Sequence, residues 1–597
     1  MGCGIADLNE QETKQNNKNI SDVTKESKYG KQHVPHKKNQ SDILKNEQTQ
    51  MNYDIDAFQS VLETKEIIHP IHINQKTVVI IGCTHAGTVA AVALRNLEKD
   101  TRIIVFEKNP VISFLQCGIH LAINRTCTDQ TKMFYNSPAN MRKMNIEIYP
   151  ESVVDNVDFD NKIVNALING IEKKQFQYTK AIVATGSNPI VPPIISNINY
   201  KEDIPKQMRG LKRILISKNY ADSLKLAKLF KPKRVCIIGA GLIGMELAWA
   251  FSDIGSVVTV VDHGERMLGK YFDSDYTTVL TDECSGLSIE MISKARVCKM
   301  SESLTDVIMV AEQQVGSQVK NIQLTFDYVI IAAGFRPNTE FVIHNTFQRQ
   351  KQTLSHMKNV IITNKLCQTS IPDVYAVGDC ATTFSNSQKT NTYIPLATHA
   401  IRHGLIAAYD IAGIQLPFKG TNSSCAVQLF DYSMAATGFQ QIDAQKIFEN
   451  VSRVVYSDFL YHRYCQKKIE KVTQKEGLNT KFDIYGDIVR GLADQIVESF
   501  ELEVDKVEDH IVSVSICYNG KTGQIYGAQS MGKQDITQET NAVSAAMSLG
   551  LGIDELAQMD FGGQCGEEKP WNVLAVAAAS RDLEVVDYEI PEVDEVD

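Results

Sequence analysis

An α/β fold, built on two copies of one parallel-sheet unit, is what this 597-residue sequence predicts. Two short β-branched runs end on glycine and lead straight into helices rich in Ala and Leu: TVVIIG at Thr77–Gly82 and RVCIIG at Arg234–Gly239. Each is followed by a second such run, TRIIVFEKN at Thr101–Asn109 and SVVTVVDHGER at Ser256–Arg266. Runs of this composition suit strands buried on both faces of a parallel sheet. A strand–helix–strand unit of this kind closes as a right-handed crossover. Two further runs, YVIIAAG at Tyr328–Gly334 and VYAVGD at Val374–Asp379, also end on glycine and extend the two sheets.

The flanking segments obey other rules. Residues 1–75 are dominated by Asn, Gln, Lys, Asp, Glu and Ser without a sustained apolar period. Such a segment buries too little surface to offset its ordering entropy, so a disordered tail is expected there, with a short helix near Ala57–Glu66. A polar, Lys-rich stretch, residues 199–233, reads as a linker between the two units. After about Leu416 the glycine turns stop, and residues 416–580 read as a separate α+β domain. Its stretch Arg453–Glu498 is polar and poorly patterned, like an insertion, and residues 581–597 form an acidic tail.

Composition narrows the function classes. Lys plus Arg number 61 against 71 Asp plus Glu, a net charge of −10, which argues against a nucleic-acid binder. No apolar run approaches the roughly 18 residues that span a bilayer. No basic stretch followed by an apolar core marks a secretory signal at the start. The 13 cysteines include no CxxC pair, so neither a zinc ribbon nor a thioredoxin-like motif is expected, no metal site is expected, and a reducing cytoplasm suits the chain.

The chemistry sits in the turns. GAGLIG carries Gly239, Gly241 and Gly244 in GxGxxG spacing: a tight turn, a close backbone approach to a pyrophosphate, and close packing of helix on strand. A diphosphate then meets the free amides of a helix start. Asp262 ends the next strand, where a carboxylate binds ribose hydroxyls and repels a 2′-phosphate, favouring NADH over NADPH. The earlier turn, GCTHAG, keeps Gly82 and Gly87 but has Thr84 in the middle. Taken alone it is compatible with a nucleotide turn and with a plain packing turn. Glu107, placed like Asp262, favours the nucleotide turn, as do ATGSNP at Ala184–Pro189 and VGDC at Val377–Cys380. Two such domains call for a donor and an acceptor dinucleotide, most economically NADH and FAD. Cys117, in SFLQCG, follows the Glu107 strand. Its CxxxxC partner position holds Ala122 and the next cysteine is Cys127, so any redox role falls to Cys117 alone. Buried cysteines are more often inert small hydrophobes. His85 lies in the first glycine turn, where a helix dipole favours neutral imidazole; it is either a proton donor or a turn filler.

Together these residues resemble the flavin-dependent NADH oxidase and NADH peroxidase group of the pyridine nucleotide-disulfide reductase superfamily, with coenzyme A-disulfide reductases as close relatives. The resemblance covers about Lys76–Gly438 and resumes near Val512–Ala579. It rests on VIIGCTHAGT, SFLQCGI, MFYNSP, ATGSNP, GAGLIGMELA, AAGFRPNT, TSIPDVYAVGDC, YIPLATHAIRHG and KPWN. The first turn with SFLQCGI and FYNSP looks most like the water-forming NADH oxidases. The resemblance implies an FAD-binding domain in two parts (76–198 and 356–415), an NADH-binding domain (234–355) and a dimerisation domain (416–580), in a homodimer. It implies that Cys117 cycles between thiolate and sulfenic acid beside His85, that Glu107 binds the FAD ribose and that Asp379 binds its flavin side. Carried onto this chain, the cofactor contacts are Gly82, Thr84, His85, Ala86, Gly87, Glu107, Lys108, Cys117, Ala184, Thr185, Gly186, Gly239, Gly241, Ile243, Gly244, Asp262, Gly334, Gly378, Asp379, Leu396, Ala397 and Thr398.

This chain departs from the group in places. Leu242 stands where a flavin-covering Tyr is common, and His399 replaces a common Asn. Gln564, Cys565 and Gly566 interrupt a stretch that is usually aromatic, which would set Cys565 near Cys117 across a dimer. The implied reaction turns two NADH and O2 into water. A coenzyme A-disulfide reductase, an NADH peroxidase and a non-catalytic redox-sensing flavoprotein scaffold are the alternatives. Met1-Gly2-Cys3 is a start open to double lipidation, although Ala6 takes the favoured Ser/Thr position; weak or lipid-mediated membrane association is the expectation it raises.

Overall fold

The computed structural model describes residues 75–196, 198–199, 204–229, 232–340, 359–459, 511–561 and 572–582. The chain divides by contact after Pro70, and all the described residues belong to the second unit. The expected tail with its short helix, most of the expected insertion, Cys565 and nearly all of the acidic tail lie outside the described residues.

Two five-stranded parallel sheets repeat one plan. The first runs Val374–Ala376, Lys180–Val183, Thr77–Ile81, Arg102–Phe106, Glu147–Tyr149. The second runs Ile289–Ile292, Val257–Val261, Arg234–Ile238, Tyr328–Ile331, Ile214–Ile216. In each, the strand before the glycine turn is central and pairs in the same register with the strand that follows: Thr77 with Arg102 through Ile81 with Phe106, and Arg234 with Val257 through Ile238 with Val261. All five residues of Thr77–Ile81 are buried, which is why that run carries no polar alternation.

The stretch expected to be a linker is corrected. It supplies the helix Ile204–Gly210, the strand Ile214–Ile216 and the helix Tyr220–Ala227. Ile214–Ile216 pairs in parallel with Tyr328–Ile331, so the second sheet gains an edge strand that precedes Arg234 in sequence. Three residues are enough for an edge strand but too few to stand out as a pattern among lysines. The start of the expected insertion is corrected too. Arg453 to Phe459 belong to the strand Val451–Phe459, which pairs antiparallel with Ile511–Asn519.

The C-terminal sheet is antiparallel, in the order Cys425–Leu429, Tyr432–Gly438, Ile525–Gly532, Ile511–Asn519, Val451–Phe459. Ala435, Val514, Ile516 and Ala528 pack with Val543, Leu556 and Leu574 of the following helices. Val427, Leu429, Met434 and Met531 share a core with Met245, Leu247 and Phe251 of the second parallel-sheet domain. The same core takes in Phe114, Ile119, Ala122 and Ile123 around the Cys117 turn, so one apolar cluster joins all three domains there. None of the described helices is long and apolar enough to cross a membrane.

Candidate functional site

The two glycine turns are built alike. A Cβ on Gly87 would lie 1.9 Å from the Gly82 carbonyl oxygen, and one on Gly244 would lie 1.8 Å from that of Gly239. These last glycines therefore exist so that helix can rest on turn. Gly241 differs: nothing lies within 4 Å of where its Cβ would be. The middle position faces open space, which is why Thr84 can take it in the first turn without disturbing the packing. Neither Thr84 nor Gly241 caps its helix with a side chain, so the first-turn amides of His85–Leu97 and Leu242–Asp253 stay available to an anion. The carboxylates that end the second strands tie down the turns. Glu107 accepts from the Cys83 amide (2.9 Å) and from the amide and side chain of Asn109 (2.9 and 2.6 Å). Asp262 accepts from Ala240 (2.7 Å) and Gly264 (2.6 Å).

ATGSNP and AAGFRPNT, which leave different sheets, are stitched together. Ser187–Pro189 pairs antiparallel with Phe335–Pro337, the Thr185 hydroxyl donates to the Asn338 carbonyl (2.6 Å), and the Asn338 amide donates to the Gly186 carbonyl (2.9 Å). Gly334 accepts from the Ile190 amide at 2.9 Å. On the far side, the helix Ala397–Ile411 lies against His85–Leu97 so closely that a Cβ on Gly404 would sit 2.3 Å from the Ala86 carbonyl oxygen. Leu396, Ala397 and Thr398 thus open a third uncapped helix start, next to Gly378 and Asp379.

Cys117 lies on the single helical turn Gln116–Gly118, with an exposed face. The protein packed around it raises its thiol above the usual range; Glu246 and Asp379 push the same way, and Lys218 opposes them. His85 is the first residue of its helix. Burial keeps its imidazole neutral, Asp379 works against that and Lys218 reinforces it. The neutral state matches expectation, but the leading cause is burial rather than the helix dipole. The Tyr135 phenol stands 2.9 Å from His85 Nδ1, with the two ring planes nearly parallel. Burial raises the phenol, so it keeps its proton, and one hydrogen joins it to Nδ1, given by the phenol or by the ring according to the tautomer.

Lys218 reaches in from the second domain. Its Nζ lies 3.0 Å from the Ser187 hydroxyl, 3.8 Å from Asp379 Oδ2 and 4.4 Å from the centre of the Phe335 ring. Burial lowers its ammonium, Asp379 holds it up, and Lys108 lowers it further. Ser187 also donates to Asp379 at 2.7 Å. Glu246, on the Leu242–Asp253 helix, is pushed up to about 8 by burial.

His85, Lys108, Cys117 and Asp379, all singled out in sequence, therefore share one electrostatic neighbourhood. Gly239, Gly241, Ile243, Gly244 and Asp262 form a second constellation at the other turn. Lys218, Tyr135, Ser187, Glu246 and His120 were not singled out. Lys218 was masked by the polar stretch around it. Tyr135 and Glu246 sit inside MFYNSP and GAGLIGMELA, quoted above for other reasons. The donors fit the expected groups: the Gly82–Gly87 turn with Asp379 and Leu396–Thr398 would hold FAD, and the Gly239–Gly244 turn with Asp262 would hold NADH.

Comparison with known proteins agrees with this geometry. Residues 76–404 match the family described as pyridine nucleotide-disulphide oxidoreductase. The chain is 30% identical over 506 residues to an NADH oxidase of Enterococcus faecalis, covering 84% of this chain and 98% of that one. An NADH oxidase of Streptococcus pyogenes is 29% identical with the same coverage, 84% and 98%. Among solved structures, the water-forming NADH oxidase of Lactobacillus brevis bound to NADH superposes with a TM-score of 0.69 at 27% identity, covering 85% of this chain and 98% of that one.

Proposed function

The chain belongs to the pyridine nucleotide-disulphide oxidoreductase family, and on that premise we propose that it is an FAD-dependent NADH oxidase that reduces O2 to water through the single sulfur of Cys117. One observation carries the finer part of this reading. Among the described residues Cys117 has no partner cysteine on its turn or on the helix that follows, where buried Ala122 takes the partner's place, yet Lys218 and His85 share its surroundings. A two-sulfur exchange lacks its second sulfur there; a thiolate and sulfenic acid cycle needs only one.

FAD, when bound, supplies the two-electron carrier between NADH and oxygen. The residues of this chain do the rest. Asp262 and the open middle of the Gly239–Gly244 turn accept the dinucleotide and select against a 2′-phosphate. Lys218 offsets Asp379 and so favours the Cys117 thiolate, against the burial that opposes it. That thiolate attacks one oxygen of hydrogen peroxide, the product of the first two-electron reduction of O2. The O–O bond breaks, hydroxide leaves, and the sulfur becomes a sulfenic acid. A second pair of electrons from NADH, with protons, returns it to the thiolate and releases the second water. His85 adds a neutral imidazole to the same surroundings.

Oxygen consumed and peroxide released per NADH oxidised, measured on purified holoenzyme, test this reading. Two NADH per O2 without free peroxide is the expected result. Cys117→Ser should shift it to one NADH per O2 with peroxide accumulating. A Cys117→Ser enzyme that still makes only water overturns the sulfur's role, and anaerobic turnover of coenzyme A disulfide would replace this reading with disulfide reduction.

A further inference from the structure

One pair of ionisable side chains takes no part in the steps above. Glu246 lies on the Leu242–Asp253 helix and His120 on the short helix that directly follows the Cys117 turn. His120 Nδ1 stands 3.7 Å from Glu246 Oε2, and the two side chains are only 14% and 18% exposed. The Cys117 backbone favours a proton on the His120 ring, and Glu246, when ionised, raises the Cys117 thiol. An acid and an imidazole so close and so buried hold one proton between them at rest, because burial disfavours the lone carboxylate that losing it would leave, a cost that only a strong base such as hydroxide overcomes.

We propose that His120 and Glu246 are the proton store for Cys117, releasing their proton to the hydroxide that leaves when the sulfur opens the O–O bond of peroxide. This rests on the oxygen-to-water reading above. The balance is simple. Thiolate plus HOOH gives Cys117 sulfenic acid plus hydroxide; the sulfur loses two electrons to the cleaved bond; hydroxide takes the stored proton and leaves as water. Solvent then recharges the pair.

Burial pushes Glu246 up to about 8 and pulls His120 down, so the proton rests on the carboxyl near neutrality. Neighbouring elements do not compete for it. Asp222, on the adjacent helix, accepts from the Lys218 and Asn219 amides. Lys225, Arg234 and Glu290 are exposed, while Cys236 and Cys425 are held as thiols by burial. Lys218 and Asp379 act on Cys117 itself.

The test is peroxide released per NADH, across roughly pH 6–9, by the holoenzyme and by Glu246→Gln, Glu246→Asp and His120→Gln. Glu246→Gln should leak at least about tenfold more peroxide at neutral pH, Glu246→Asp should restore water formation, and the unaltered enzyme should begin to leak above about pH 8. His120→Gln keeps a polar side chain beside the cysteine turn but leaves the carboxyl without its imidazole partner, so it should leak more than the unaltered enzyme and less than Glu246→Gln; it serves as the second variant if the first does not fold. Unchanged peroxide release in these variants, or a rise confined to the KM for NADH, overturns the proposal. If Cys117→Ser in the same assay makes only water, the failure belongs to the oxygen-to-water reading instead.

Discussion

The Tyr135 phenol sits 2.9 Å from His85 Nδ1, and a hydroxyl can both donate and accept there. The Nδ1–H of a protonated ring donates to the phenol oxygen in a charge-assisted bond, stronger than the bond of the neutral pair, so the contact favours imidazolium against the burial that opposes it. Tyr135→Phe removes it, at a cost of about 0.5–1.5 kcal/mol to the charged form. The His85 pKa should therefore fall by up to roughly one unit, and the acid limb of the NADH oxidation pH–rate profile should move to lower pH by the same amount. An acid limb that stays in place would show that the phenol only fills space. At this scale the sequence is uneven. Cys117, Gly241 and Asp262 were legible because each sits at a fixed offset in a motif with a chemical reason behind it. Tyr135, Lys218 and Glu246 were not, because each reaches the site across the fold, and His120, three residues after Cys117, was not because its partner Glu246 comes from another helix. Lys218, for instance, meets Asp379 from 161 residues away, 3.8 Å apart in space, and nothing local to the chain announces such a meeting.

The glycine turn is the element on which both dinucleotide sites depend, and its three positions separate experimentally. Gly244→Ala places a Cβ 1.8 Å from a backbone oxygen that cannot move without the strand. It should destabilise the second domain by about 3 kcal/mol, at the top of the overpacking range, and the denaturant midpoint reads this. Gly241→Ala meets no protein atom within 4 Å and keeps an ordinary φ of −81°. Its midpoint should stay put while the KM for NADH rises several-fold, since the added methyl enters the space the pyrophosphate backbone contact needs. If both variants unfold alike, the open face at Gly241 is not a ligand face. The contrast also explains the element-level reading. Thr84 weakened the first motif as a pattern, yet it falls at the one position where the fold tolerates a side chain. By contrast, the edge strand Ile214–Ile216 could not be read, because three apolar residues between polar helices carry no period.

Across the whole molecule, the duplicated parallel sheets were legible, because buried parallel strands leave uninterrupted β-branched runs. The links between domains were not, because they join residues far apart in sequence: Lys218 to Asp379, Thr185 to Asn338, and Arg453 to Asp275 at 2.6 Å. One such link is the helix Ala397–Ile411, which locks the second segment of the first domain onto His85–Leu97. It carries His403, 2% exposed, with its ring edge on Phe418 and its Nδ1 left without a hydrogen-bond partner among the described residues. Burial, helped by His399 and Arg402, pulls this imidazole down to about 3. An unfolded chain titrates it near 6.5, so below that pH the unfolded state binds a proton that the folded state refuses. Stability is therefore lost as pH falls from about 6.5 towards 3, by roughly 1.4 kcal/mol per unit. His403→Leu removes the proton site and the orphaned nitrogen together. Relative to the unaltered protein, the variant should gain about 2.7 kcal/mol on going from neutral pH to about pH 4.5, two units below the unfolded value. His399, pulled down to about 4, destabilises both proteins equally over most of that range and cancels from the comparison. Urea midpoints at the two pH values measure the difference, and an equal gap at both would mean that His403 is protonated in the fold and that the helix clamp tolerates its charge.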